Sequence, residues 1–176
     1  MDKRLTLNNK IQQLEFFSEY SLIKIKIINN FPKVYLLVGK IGPFINGDII
    51  ETPLWIAVLL AKSNYCRIFF PNWLKIKWLE KKIYIEKKTE NLQHIPFNYL
   101  EFGKILIANN KFKISLKNSL LALLELIHSI RFLKIWRCLK KLNGIIDAIK
   151  LDGIASVELL TFKNVFIILL CYFSLK

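Results

Sequence analysis

Arginine is scarce in this chain: in 176 residues it occurs only at positions 4, 67, 131 and 137, although the net charge is +14. A protein that grips phosphate favours bidentate arginine forks, so the basicity argues less for nucleic acid than its size suggests. Glycine (6) and proline (5) are also few. Lys, Ile, Asn and Phe dominate instead, the set that A- and T-rich codons supply, and genome composition accounts for much of the lysine. A basic nucleic-acid binder stays open as one reading.

Other absences narrow the chemistry. Cys66, Cys138 and Cys171 stand far apart with no Cys-x-x-Cys, which excludes a disulfide framework and points to a reduced compartment, cytosol or nucleus. The two histidines, His94 and His128, lie in no metal-ligand spacing. His94 reads as a loop residue and His128 as a solvated one. Asp147 and Asp152 suit helix-end and turn roles better than a catalytic carboxylate pair. "GKIGPFING" is not a phosphate loop, because no Gly-Lys-Ser/Thr follows at the required spacing and Pro43 removes an N–H. Cys66 beside Arg67 reads as a half-buried structural cysteine in preference to an activated thiol. We expect no enzyme, no cofactor and no metal.

Long apolar runs are missing too. The greasiest, "NVFIILLCYFSL" from Asn164 to Leu175, spans only about 18 Å as a helix, against about 30 Å of bilayer core. It is expected to be a buried helix and not a membrane span. The opening "MDKRLTLNNKIQQLEFF" has no apolar core of a secretory leader.

What the chain does have is oil. Hydrophobic residues make up 53% and mean hydropathy is +0.34, high for a freely soluble monomer. The length allows one compact domain or two small ones. "LIKIKII" places Ile23, Ile25 and Ile27 on one face and Lys24 and Lys26 on the other, the alternation of a half-buried strand. "VYLLV" (Val34 to Val38) is a second strand, and 14–52 reads as β-rich. From Pro53 onward the pattern is helical, with Thr52 as the expected N-cap. Asn72 is expected to cap a helix running towards Thr89, and "PFNYLEFGKILIANN" to form another that the Asn pair stops. The clearest helix covers Ser115 to Leu142. Leu120, Leu123, Leu124, Ile127 and Ile130 make its apolar stripe, and Glu125, His128, Arg131, Lys134, Arg137 and Lys141 are read as its polar one. Asn143-Gly144 supplies a stop, and a last helix occupies Ser156 to Phe173. The expected fold is α+β, mainly α: a small β-rich domain over 1–52, then a bundle-like helical domain over 53–176.

In "PLWIAVLLA", Leu54, Trp55, Ile56, Val58, Leu59 and Leu60 occupy consecutive sides of one short helix. Either the chain's own fold surrounds it, or part of it meets another subunit.

Gly42-Pro43-Phe44, Glu51 before Pro53-Leu54-Trp55, Cys66-Arg67, and Pro71 with Trp73 together resemble the eukaryotic GINS complex subunit family called partner-of-Sld-five number two. The resemblance runs on through "PFNYLE", "SIRFLKIWR" at the family's Thr-Arg-x-x-Lys region, and "LDGIASVEL". Departures are Phe70 before Pro71, where the family has a second proline, and a basic segment after Trp73. The family's polar extension is also absent, the sequence ending at Lys176. They bear on surface contacts more than on the buried framework.

The resemblance implies a non-catalytic nuclear scaffold in a four-chain assembly with three other GINS subunits. That assembly joins the MCM helicase ring and the Cdc-forty-five protein at replication forks. Pro43, Phe44, Pro53, Leu54, Trp55, Leu59, Arg67 and Trp73 are then its interface or framework candidates. Arg131, Lys134, Arg137 and Lys141 are the candidates for nucleic-acid contact, directly or through the assembly.

Overall fold

The computed structural model describes residues 12–36, 39–141 and 152–174. Residues 12–19 form a helix, α1, where the sequence pattern suggested the beginning of a β-rich region. Strand β1 (Leu22–Ile27) follows, and its alternation is as expected: Ile23, Ile25 and Ile27 face inward, Lys24 and Lys26 outward. It is the centre of a three-stranded antiparallel sheet between β4 (Ile49–Pro53) and β5 (Cys66–Ile68). A small hairpin, β2 (Val34–Leu36) with β3 (Gly39–Ile41), lies apart from it. The last two residues expected in β2, 37 and 38, fall outside the described residues.

Helix α2 (Leu54–Lys62) crosses the sheet between β4 and β5. Thr52 does not cap it. Thr52 is a strand residue, paired opposite Ile23 and 5% exposed, and Pro53 holds the cap position without a side-chain bond. The Leu54 N–H instead donates to the Ser21 carbonyl at 3.0 Å, so a backbone acceptor does the work of a cap. Because β5 pairs with β1, the sheet takes in a strand from beyond the join expected near residue 52.

A 3-10 turn (Asn72–Leu74) leads into α3 (Ile76–Lys88). Asn72 caps no helix: it opens the short turn, and Lys75 precedes α3 with no side-chain cap. Helix α4 (Tyr99–Asn109) ends at the Asn pair as expected. Helix α5 (Ile114–Lys141) packs along α3 and α4, and α6 covers Ser156–Ser174. Gly103 of α4 packs against Leu124 of α5. A Cβ there would stand 2.8 Å from Leu124 Cδ1 and 3.4 Å from Leu74 Cδ1, so a side chain at this position would force the buried end of Leu124 to shift.

One continuous core joins sheet and helices. Ile25 and Ile27 of β1, Leu54 and Ala57 of α2, Leu79 of α3, Leu106 of α4 and Leu124 and Ile127 of α5 all belong to it. A second cluster, Ile135 with Phe162, ties the far half of α5 to α6. Asn143-Gly144 and Asp147 lie outside the described residues.

Candidate subunit interface and a buried ionic cluster

Helix α2 is mostly enclosed by its own fold. Leu54, Ile56, Ala57 and Leu60 are buried, Trp55 and Val58 pack against the core, and Leu59 alone among them is 60% exposed. The remaining motif residues are placed as follows. Phe44 is half-buried and exchanges both backbone hydrogen bonds with Phe31 at 2.9 Å. Their rings stack at 6.0 Å, and Tyr65 meets Phe31 edge-on at 5.1 Å. Gly42 turns the chain there at φ +79°, with the Pro32 carbonyl 2.9 Å from where a Cβ would stand; only glycine tolerates both. Pro43 is exposed and Pro53 half-buried. Arg67 is exposed opposite Lys26 on the outward sheet face. The Cys66 thiol is buried against the Ala57 carbonyl at 3.6 Å, and burial pushes its pKa up to about 11, the opposite of activation.

Trp73 leans on Phe102, ring centroids 5.9 Å apart. It lines a cleft of ≈ 280 Å³ with Leu22, Pro96 and Phe97. Leu22 is 64% and Phe97 55% exposed, and Phe16, Phe17 and Tyr20 of the preceding segment are also open to solvent. Scattered exposed apolar residues are ordinary, but Leu22, Trp73 and Phe97 share one cleft, and such a grouping marks an interaction surface. Helix α5 has another: Leu126, Leu133 and Trp136 are exposed on the side away from its buried line of Leu120, Leu124, Ile127 and Ile135. One helix thus carries two apolar faces, and the fold covers one.

Arg131 and Lys134, two of the four cations proposed along α5, are not free surface charges. Arg131 is fully buried. All five of its N–H groups are used. Nε and Nη2 fork onto Glu158 of α6 at 2.6 and 2.9 Å. Nη1 donates to Glu86 of α3 at 2.7 Å and to the Gln93 carbonyl at 2.8 Å, and Nη2 donates to the Gly153 carbonyl at 2.5 Å. Lys134 donates to the other oxygen of Glu86 at 2.5 Å, and also to Thr89 Oγ1 and the Asn91 carbonyl. Two cations therefore neutralise two carboxylates. Burial works to lower the Arg131 pKa, but the Glu158 and Glu86 carboxylates outweigh it and hold the guanidinium above its ordinary value. Arg137 is exposed, and the Lys141 side chain lies outside the described residues. The cluster anchors the start of α6 to α3 and α5 and to the 89–98 connection.

Its surroundings are also buried. Ser156 Oγ lies 3.0 Å from both Glu101 oxygens and from the Phe97 carbonyl. Burial raises the Glu101 pKa, partly offset by these hydrogen bonds. His128, expected in solvent, is half-buried; its Nδ1 has no hydrogen-bond partner among the described residues, and desolvation lowers its pKa.

Sequence reasoning missed Glu86 and Glu158. The available signal was Glu86 in line with Leu79 and Ile83, the buried positions of α3. A carboxylate in a core stripe requires a cation, and Arg131 continues the Leu120, Leu124, Ile127 line.

Comparison with known proteins places this architecture. Residues 73–174 match the family described as "GINS complex protein helical bundle domain", and residues 10–69 match the PSF2 N-terminal domain. The GINS complex protein PSF2 of Debaryomyces hansenii is 32% identical over 84% of this chain and 71% of its own length. The human protein of that name is 38% identical over 54% of this chain and 52% of its own length. A Brugia malayi relative, described as a probable PSF2, is 36% identical over 54% and 50%. The alignments with the last two span about half the length of each relative. The helical part thus has the GINS bundle, and the sheet preceding it has the PSF2 form. The chain belongs to the PSF2 family of DNA replication complex GINS proteins. Its Arg-x-x-Lys in "SIRFLKIWR" is Arg131 and Lys134, the two cations of the buried cluster. Among the described residues no helix is long and apolar enough to cross a membrane.

Proposed function

We propose that this chain is a non-catalytic scaffold subunit that acts in the nucleus within a four-chain GINS assembly. The assembly supports the replicative helicase together with the MCM ring and the Cdc-forty-five protein. Family membership motivates the reading, and one observation carries it: the apolar surface that the chain's own fold leaves open around the Trp73 cleft and along the outer side of α5. Sister subunits cover these two faces. Of the motif residues, Phe44, Leu54 and Trp55 then serve as framework, Trp73 lines the covered cleft, and Leu59 is exposed on α2.

The test is co-expression with the three sister chains followed by affinity purification. Phe97→Glu with Leu22→Glu places charge on the open cleft and should strip this chain from the assembly while leaving its own melting temperature within a few degrees. Trp55→Ala should instead lower stability, by several kcal/mol if its ring packs as core aromatics do. Unchanged recovery of the Leu22/Phe97 variant would remove the cleft from the interface.

The competing reading, direct nucleic-acid binding through the α5 stripe, loses its centre because Arg131 is buried and Lys134 paired. It predicts a log–log salt slope of about −0.9 per phosphate contact, which a titration of the chain measures.

A further inference from the structure

Between the C-terminal end of α3 and the second half of α5 lies an open groove of ≈ 460 Å³. Its floor includes Ile130 and Leu133, and Leu133 is 49% exposed. Its rim carries Lys87, Lys88 and Arg137, against which stands only Glu90. Lys134 and Glu86 reach the groove too, but they pair with each other. Lys87, Lys88 and Arg137 have no carboxylate partner among the described residues; Lys88 lies 4.4 Å over the Tyr84 ring.

We propose that this groove is a docking site for an acidic segment of a partner protein that inserts one large apolar side chain. The volume falls within the roughly 300–1,000 Å³ of ordinary binding pockets and accepts a Phe or Leu side chain with flanking backbone. The floor favours an apolar anchor, because covering Leu133 and Ile130 releases water from both surfaces. The rim favours flanking carboxylates, since three cations around one glutamate form a positive field. A phosphate backbone fits less well. It meets the same rim charges but gains nothing from the apolar floor. The groove shares no lining residue with the Trp73 cleft, but Leu133 also stands on the outer side of α5, so the inference rests on the sister subunit there covering Leu126 and Trp136 while leaving the groove open.

The full chain is titrated with a fluorescein-labelled peptide bearing one Phe between Asp and Glu residues. Two probes are run beside it: the same peptide with Ala for Phe, and a single-stranded oligodeoxynucleotide. The acidic Phe peptide should bind, and the Ala peptide should bind roughly tenfold or more weakly, the worth of one buried aromatic. Leu133→Asp and the double variant Lys87→Glu/Arg137→Glu should each cause a comparable loss, with melting curves showing both folded. Cys138 lines the groove and is exposed, so bound peptide should slow its alkylation. Three results would overturn the proposal: equal binding of the Ala peptide, displacement of the Phe peptide by the oligonucleotide, or no peptide binding at all. So would Cys138 already shielded in the four-subunit assembly, because a sister chain would then fill the groove.

Discussion

Replacing Arg131 by Met keeps the length and apolar stem of the side chain and deletes five hydrogen bonds and one charge. Among the described residues Glu158 then keeps only the Ala155 N–H, at 2.9 Å, and the Gln93 and Gly153 carbonyls lose the guanidinium. Glu86 fares better, since Lys134 and the Gln93 N–H at 3.0 Å remain. The dominant cost is therefore one carboxylate stranded where it has no accessible surface. Removing one partner of a buried pair typically costs about 3–5 kcal/mol, a large part of a net stability of about 5–15 kcal/mol. Urea unfolding followed by tryptophan fluorescence reads this as a lower midpoint at unchanged slope. Adding Glu158→Gln to Arg131→Met should return part of the loss, because the stranded charge disappears. Arg137→Met, on the exposed part of the same helix, should stay within about 0.5 kcal/mol of the parent. If Arg131→Met costs less than about 1 kcal/mol, the pair behaves like a surface salt bridge, and the claim that it anchors α6 is wrong.

Gly103→Ala should destabilise, because overpacking costs about 1–3 kcal/mol against up to about 1 kcal/mol gained in helix propensity; trimming Leu124 to Val should relieve it, and thermal melts of both variants decide. The folded-state pKa of His128 is depressed by burial, so the unfolded chain binds the extra proton below its ordinary pKa of 6.5. Its contribution to stability is thus complete above pH 6.5 and is lost as pH falls towards the depressed value. His128→Gln should flatten the fall in melting temperature between about pH 7 and pH 5, and an unaltered profile would contradict the burial argument. Iodoacetamide at pH 8 should modify Cys138 and spare Cys66, whose thiol is pushed up to about 11; peptide mass mapping of the native protein reads the ratio.

Where a single period governs, the sequence was readable. The alternation of β1 and the three- and four-residue steps of α5 rest on local sterics and one buried face, and both elements stand where the pattern puts them to within a residue or two. Caps were less legible. Thr52 and Asn72 have the chemistry, but strand pairing holds the first and a 3-10 turn absorbs the second, so tertiary context took the positions over. Strand β5 was also hidden, because three residues carry too little period to distinguish from a helix end.

Arg131 shows a different failure. Reading Glu125, His128, Arg131, Lys134 and Arg137 as one stripe takes only three-residue steps. Each falls about 60° short of a turn, so five such residues wind around the helix instead of marking a face. Alternating fours and threes leads from Leu120 through Leu124 and Ile127 to Arg131, which is the buried line. Its partners Glu86 and Glu158 are 45 and 27 residues distant, and no local pattern pairs them. The second apolar face of α5 was masked for the same reason: a helix greasy on two sides has little net direction.

Native mass spectrometry of this chain co-expressed with the three sister GINS chains bears most directly on the scaffold account. It should give a single species holding one copy of each, with the chain alone exposing the Trp73 cleft and the outer side of α5 to hydrogen exchange that the assembly suppresses. A chain that stays monomeric beside an assembly of the other three, with both faces exchanging as before, would contradict it.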